Sequence, residues 1–413
     1  MQADVLSIGG GIAGLMAAMR ASELGAKVVV VEKGNTLRSG AGACGNDHFQ
    51  CYIPEFHGTD FEAFLEEVQL VGQMAPLAKM KGRKFLRTWL LNTFDIVKMW
   101  DSWGIPMKYK GRWEFAGHYY PGQMPKHLKY MGQNQKPVLT RETLKRGAQI
   151  INRVMVFELI ENKGRVIGAI GINTREERII GFLAKSVILS TGSCMRLFLG
   201  PTPGWMSNLA YPFYLTGDGR AMAYRIGAEL ESMELLTRHA GPKYFARCGQ
   251  ATWIGVLKDS SGRPVGPFLE KPDRRYSDMT IELNKCIFEE YMKSGRGPIY
   301  MDCREITDED YEYMVYWLKQ EGNEALLDHL RTENIDLKKN MIEFMTYELR
   351  TRGWIFTDER TQTSIKGLYA AGDEIFMEVS PAAVFGWIAG EEAAKYAKGS
   401  DFAEESEISI RVE

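Results

Sequence analysis

The chain has 413 residues, with 51 lysines and arginines against 53 aspartates and glutamates. That length suits two or three domains of roughly 150 residues and excludes a lone small binding module. The near-zero net charge removes the electrostatic case for nucleic acid or an anionic membrane surface as partner. Hydrophobic and charged fractions of 45% and 25% match ordinary globular chains and exclude disorder as the main state. No apolar run approaches the roughly 18 residues that span a bilayer.

The opening segment, MQADVLSIGGGIAGLMAAM, has no basic leader, carries Asp4 early and interrupts its apolar run with three glycines. It is therefore expected to be strand, turn and helix, not an export signal, and the expected location is cytoplasmic. ADVLSI reads as a buried strand, Gly9, Gly11 and Gly14 fit G-x-G-x-x-G, Ile12 to Gly25 has helical character, and VVVVE ends a second strand at Glu32. Each part has a physical role. Gly9 allows the tight turn, Gly11 lets the backbone approach a pyrophosphate, Gly14 permits close packing, and the helix start offers free amides. Glu32 would accept hydrogen bonds from ribose hydroxyls. A glycine-rich turn in an ordinary α/β domain would explain one of these features; together they point to a dinucleotide, FAD or NAD.

Downstream, helices are expected at 61–72 and 83–103, followed by an aromatic, Gly- and Pro-rich irregular loop over 103–125. That loop either packs on the first domain or offers a docking surface. Strands are expected at 154–160, 164–172 and 185–193, a solvated helical stretch at 308–331, a strand ending in GLYAAGD at 367–373, and a helix over roughly 382–397 whose start could aim amides at a ligand. The six cysteines include no C-x-x-C pair, so neither a zinc site nor a chain-held iron–sulfur cluster is expected, and reduced thiols fit best.

The stretches GGGIAGLMAA, VVVVEK, RSGAGACG, LSTGS, TGDGRAMAYRIGAELESME, GRGPIYMD and GLYAAGD resemble the flavoprotein subunits of fumarate reductase, succinate dehydrogenase and adenylylsulfate reductase. RSGA and RGPIYMD look closer to the adenylylsulfate reductase alpha subunit. The resemblance implies an α/β fold: a Rossmann-type FAD-binding domain (1–234 and 346–399) with an inserted α+β capping domain (235–345) and an acidic tail (400–413). The further helical domain usual in the family would be missing. The implied cofactor is FAD, held by Gly9, Gly11, Ala13, Gly14, Glu32, Lys33, Arg38, Ser39, Gly40, Ala41, Gly42, Val156, Thr191, Gly192, Ser193, Asp218, Gly372, Asp373, Ala383 and Val384. Because Gly40 follows Ser39 where covalent members place a histidine, the FAD is expected to be noncovalent.

The substrate side departs from the family. His239 matches a substrate-contacting position, but its Gln and Pro neighbours are lost, the second substrate histidine falls near Leu349, and the C-terminal arginine has no counterpart in 379–390. The remaining candidate groups are Arg238, His239, Arg274, Arg275, Arg350 and Arg352, since arginine forks suit a carboxylate, sulfate or phosphate. Solvation of each arginine is the plain alternative. Two functions follow from the resemblance. One is an FAD-dependent oxidoreductase subunit passing electrons between a small anionic substrate and a ferredoxin-like iron–sulfur partner in a hetero-oligomer. The other is a relay or bifurcating subunit of a larger anaerobic redox complex, without substrate chemistry of its own.

Overall fold

The computed structural model describes residues 1–70, 75–195, 211–243, 245, 252–266, 269–278, 290–291, 293–351 and 353–407, with backbone alone at 75–77, 238 and 348–350. Strand β1 (Gln2–Ile8), helix α1 (Ile12–Glu23) and strand β2 (Val28–Glu32) form the expected βαβ unit. Every residue of β2 is buried, as a parallel strand covered on both faces requires. The turn between β1 and α1 depends on Gly9: its φ is +102°, and a Cβ there would lie 2.3 Å from the Ser190 carbonyl oxygen.

Next come β3 (His48–Gln50), α2 (Pro54–His57), α3 (Phe61–Leu70) and the long α4 (Ala75–Trp103), which is interrupted at Gly82. Beyond the irregular aromatic loop lie β4 (His127–Lys129), α5 (Gln135–Lys145), β5 (Gln149–Asn152), β6 (Val154–Asn162), β7 (Arg165–Asn173) and β8 (Ile179–Leu189). Short α6 (Asp218–Arg225) precedes β9 (Leu230–Glu231), β10 (Leu236–Pro242), β11 (Val256–Lys258) and β12 (Ile299–Asp302). The chain then forms α7 (Asp308–Gln320), α8 (Glu324–Thr332), β13 (Ile342–Thr351), β14 (Trp354–Ile355), β15 (Leu368–Ala370) and α9 (Val379–Lys398).

The main sheet has the order β5-β2-β1-β8-β7-β6, with β15 beside the end of β8. β1, β2, β5, β8 and β15 pair in parallel, while β6 and β7 add an antiparallel extension. Helix α9 returns from the far end of the sequence to lie on α1. The contact is close because Gly386 and Gly390 present bare backbone: a Cβ on them would sit 2.4 Å from the Ala13 oxygen and 2.1 Å from the Ala17 oxygen. Arg20 seals this crossing, bonding Glu391 at 2.8 Å and lying 5.4 Å from the centre of the Trp387 ring.

A second sheet, β10-β13-β12-β11, carries its own core, in which Trp253, Trp317 and Phe344 are fully or nearly fully buried. The single helical stretch expected over 308–331 is two helices, α7 and α8. The chain turns between them at Gly322 (φ +76°), whose missing Cβ leaves room for the Cys44 carbonyl, otherwise 2.0 Å away. One face of each helix is apolar: Tyr313, Met314, Trp317 and Leu318 of α7, and Leu326 and Leu330 of α8, are buried.

Candidate functional site

The C-terminal ends of β1, β8 and β15 converge on a cleft with about 1020 Å³ of empty space, its open mouth included. This is where ligands bind in open parallel sheets. Two helix starts open on it, α1 at Gly11 and α9 at Glu378, and neither has a side chain capping its first turn. Both turn first-turn backbone and the positive end of a helix dipole toward an anion. The three fingerprint glycines divide the work. A Cβ on Gly14 would strike the Gly9 oxygen at 1.9 Å, so Gly14 serves packing; a Cβ on Gly11 would meet nothing closer than 3.9 Å, so the space over Gly11 is open to a ligand.

Glu32, at the end of β2, accepts the Gly10 N–H and the Gly34 N–H, each at 2.7 Å. These bonds orient the carboxylate and leave each oxygen a further lone pair for a hydroxyl. Beneath the turn, the buried ammonium of Lys136 bonds the Gly10 oxygen; burial pushes its pKa down to about 8 against the pull of the Glu32 charge. A donor-rich turn, an oriented acid and an elongated cleft fit a dinucleotide.

Of the residues expected to hold the cofactor, Gly9, Gly11, Ala13, Glu32, Lys33, Gly40, Ala41, Gly42, Val156, Thr191, Gly192, Asp218, Gly372 and Asp373 line the cleft. Lys33 bonds Asp218 at 2.7 Å across it. The six others, among them Gly14 packed against the Gly9 oxygen, stand behind the wall or away from it. Arg38 is exposed, Ser39 accepts the Asn35 N–H at 2.6 Å, and Ser193, Ala383 and Val384 are buried. On α9 the wall is instead made by Val379 and Ala382, and Tyr211 and Tyr214 add aromatic walls that the motifs did not reveal. A further group braces the wall from below. Arg220 donates to the Asp373 carbonyl and lies 3.5 Å from Glu374, whose other oxygen takes the Thr191 hydroxyl; Thr191 in turn accepts the Gly219 N–H at 3.0 Å. Burial raises the Glu374 carboxyl, with Arg220 opposing the shift.

Of the substrate-side candidates, Arg274, Arg275 and His239, whose side chains are described, do not line this cleft. Arg274 bonds Asp310 at 2.6 Å and Glu309 at 2.9 Å, and its guanidinium lies 4.4 Å from the centre of the Tyr313 ring. Arg275 is turned to solvent and bonds Asp273 at 2.7 Å. His239 is buried on β10, its Nδ1 2.6 Å from the Ala240 oxygen and 3.3 Å from the Tyr347 hydroxyl. Arg238 and Arg350 sit in the β10–β13 ladder, opposite Glu348 and Thr237, and their side chains lie outside the described residues, as does all of Arg352.

A different set of titratable groups does converge. His48, His118 and His127 pack with ring centres 4.8 to 5.6 Å apart. Around them, Asp47 bonds His48 at 2.8 Å and Lys129 at 2.9 Å, Lys129 lies 3.5 Å from Asp278, and Asp278 is 3.6 Å from His118. Burial opposes a charge on His48, but the Asp47 hydrogen bond and the Asp47 and Glu321 charges carry its pKa up to about 9. Burial and the neighbouring cations hold His118 and His127 well below the usual imidazole range, and burial lifts Asp278 to about 6. Asp47, His48 and Glu321 bring one donor atom each within 4.8 Å, a grouping the sequence did not suggest. Those atoms are already engaged: His48 Nδ1 with Asp47, Asp47 Oδ2 with Lys129, and Glu321 Oε1 with the Asp47 N–H at 2.9 Å. The arrangement is an ion-pair network.

The model of the FAD binding domain family matches residues 4–53 and 95–384. One chain of a fumarate reductase (CoM/CoB) from Methanothermobacter marburgensis is 25% identical over 393 residues, covering 90% of this chain and 67% of that one. The adenylylsulfate reductase alpha subunit of Megalodesulfovibrio gigas is 24% identical over 345 residues, covering 73% and 50%. The chain thus spans between half and two thirds of the length of these relatives. In fold it is similar to adenylylsulfate reductase from the hyperthermophilic Archaeoglobus fulgidus, with a TM-score of 0.78 and 23% identity over 100% of this chain and 72% of that one. No helix among the described residues is long and apolar enough to cross a membrane. With the matched segments containing both helix starts and the whole cleft wall, the chain belongs to the FAD binding domain family and is a flavin-dependent oxidoreductase.

Proposed function

We propose that this chain is the flavoprotein subunit of a cytoplasmic hetero-oligomer, in which electrons pass between a small anionic substrate and an iron–sulfur cluster on a partner chain. When bound, FAD supplies the hydride and electron-transfer chemistry. The chain's residues position and insulate it. The α1 start would hold the diphosphate and Glu32 the ribose hydroxyls, while the Gly372–Asp373 turn, kept in place by the Arg220–Glu374 brace, and the α9 start would lie near the flavin. The observation that carries the reading is sequence likeness over most of the chain to subunits of fumarate and adenylylsulfate reductases.

One observation favours the second reading, an electron-transfer subunit without its own substrate chemistry. Arg274 and Arg275, two of the cations expected to greet an anion, are committed to Asp273, Glu309 and Asp310. Native mass spectrometry of the anaerobically purified complex, with iron and flavin counted on the same sample, tests the partner. FAD on a lone chain or homo-oligomer without iron refutes it. Titration of the oxidised flavin with sulfite, adenylylsulfate or fumarate tests the substrate. A spectral change supports the first reading, whereas rapid reduction by a ferredoxin-like donor alone supports the second.

A further inference from the structure

The β3/β4 ribbon has a polar face that cofactor binding does not use. His48 lies opposite Lys129 and Gln50 opposite His127, so these four side chains share one side of the ribbon, while Phe49 and Leu128 enter the core from the other. The polar side is buried too. Gln50 Oε1 and both ring nitrogens of His127 are buried with no hydrogen-bond partner among the described residues. Buried polar atoms without partners call for a specific explanation.

The groups facing His48 come from every neighbouring element: Asp47 beside it, His127 and Lys129 from β4, His118 from the aromatic loop, Asp278 and Thr252 from the second core, and Glu321 after α7. Lys126 adds its charge near His127. Acids balance the cations, so the cluster is not an anion site. What it offers is imidazoles in different protonation states, in ring contact with one another. His48 is the partly exposed member, with 20% of its side chain accessible. It stands two residues beyond Asn46, a cleft-lining residue pinned by Gln135 at 2.6 Å and, through its carbonyl, by the Gly132 N–H at 3.0 Å.

We propose that His48, backed by His118, His127 and Asp278, is the proton-exchange route for redox chemistry in the cleft. The inference rests on the FAD assignment and not on the identity of the substrate or partner. In a two-electron oxidation, the substrate loses one hydrogen together with its electron pair to the bound FAD, the oxidant. The bond to a second hydrogen breaks, leaving its electron pair on the substrate as a new π bond, and that proton leaves by way of His48, whose charge is set by Asp47 and by the two imidazoles packed beside it. In the reverse direction the His48 imidazolium supplies the proton. The relay carries no electrons.

The test uses the FAD-loaded protein and two measurements. Histidine-selective ¹⁵N NMR reads protonation without turnover. Near neutral pH, His48 is expected to be an imidazolium whose signal vanishes in His48→Gln, with His118 and His127 neutral. Stopped-flow oxidation of the dithionite-reduced protein by ferricyanide, which accepts electrons and no protons, reads the route itself. His48→Gln at full FAD content is expected to slow by about tenfold or more, in keeping with general acid–base groups, with a flattened pH profile, a smaller solvent isotope effect and partial rescue by added imidazole. A neutral His48, or a variant with native rate and pH profile, overturns the proposal. If His48→Gln does not fold, Asp278→Asn replaces it: a slowed reoxidation with shifted His118 resonances supports the route, and an unchanged rate overturns it.

Discussion

Replacing Arg220 by alanine tests how the floor of the cleft is held. Arg220 is 3% exposed and Glu374 fully buried, with 3.5 Å between Nε and Oε2. At an effective dielectric of about 20 that separation corresponds to roughly 5 kcal/mol of attraction. Removing one member of a buried pair costs about 3–5 kcal/mol because the other charge is stranded. The stranded Glu374 can escape by taking a proton. Its folded-state carboxyl already lies above its ordinary value through burial, and loss of Arg220 lifts it further. The native state then holds a proton that the unfolded state has released, so stability falls as pH rises through and above the ordinary glutamate range. Arg220→Ala is therefore expected to lose about 3 kcal/mol in mildly alkaline buffer and clearly less in mild acid. Urea unfolding at fixed FAD concentration, across pH, measures both. FAD affinity should fall as well, because Arg220 also holds the Asp373 carbonyl. A loss below about 1 kcal/mol in alkali, or one that grows on acidification, would refute the reasoning.

Three further outcomes are expected. Gly9→Ala should fail to fold stably, because its Cβ meets Ser190 at 2.3 Å at φ +102°, whereas Gly11→Ala, at φ −70° with open space, should fold within about 1 kcal/mol of the parent yet bind FAD more weakly; equal FAD affinity in a fluorescence titration would contradict the ligand-facing role of Gly11. Gly390→Val should destabilise by at least about 2 kcal/mol in chemical denaturation by forcing α9 off α1, and a native midpoint would show that the crossing is not tight. His48 has a folded pKa near 9 against an ordinary 6.5, so it contributes stability that is fully present below about pH 6.5 and lost as pH climbs to about 9, roughly 3 kcal/mol in all. His48→Gln should flatten that alkaline decline, and parallel stability–pH curves for the two proteins would sink the assignment.

The parts of the fold written in short, contiguous patterns are legible without the structure. The β1–α1–β2 unit needs only glycine spacing, one apolar run and a terminal acid, and its turn, helix and strands follow from local sterics. The α1–α9 crossing is not legible, although GWIAG carries two glycines four apart on one helical face. Nothing local says that their partner is the backbone of Ala13 and Ala17, some 370 residues earlier. The same kind of separation hides the Arg220–Glu374 brace, even though TGDGR and GLYAAGD each carry a readable motif. Arg274 and Arg275 stand out in the sequence for their place near family segments. The acids that engage them, Asp273 beside them and Glu309 and Asp310 at the start of α7, form a charge pattern that competes with any ligand.

The histidine cluster shows why one-dimensional reading stops where it does. HFQ and HLK alternate polar and apolar residues, which in isolation means a strand with one wet face. Here both faces are dry, because the second core closes over the polar one. That closure is held at the loop joining the two sites: a Cβ on Gly45 would strike the Gln320 oxygen at 2.4 Å, and one on Gly322 would strike Cys44 at 2.0 Å. The loop that lines the cleft at Gly40, Ala41 and Gly42 thus reaches the imidazoles at His48 while wedged against the end of α7. A shift of the second core relative to the first must move that loop, and with it both the cofactor wall and the charges around His48. Cofactor binding and the charge on His48 are therefore expected to be coupled through the loop 40–48, which packs at Cys44 and Gly45 against Gly322 and the end of α7.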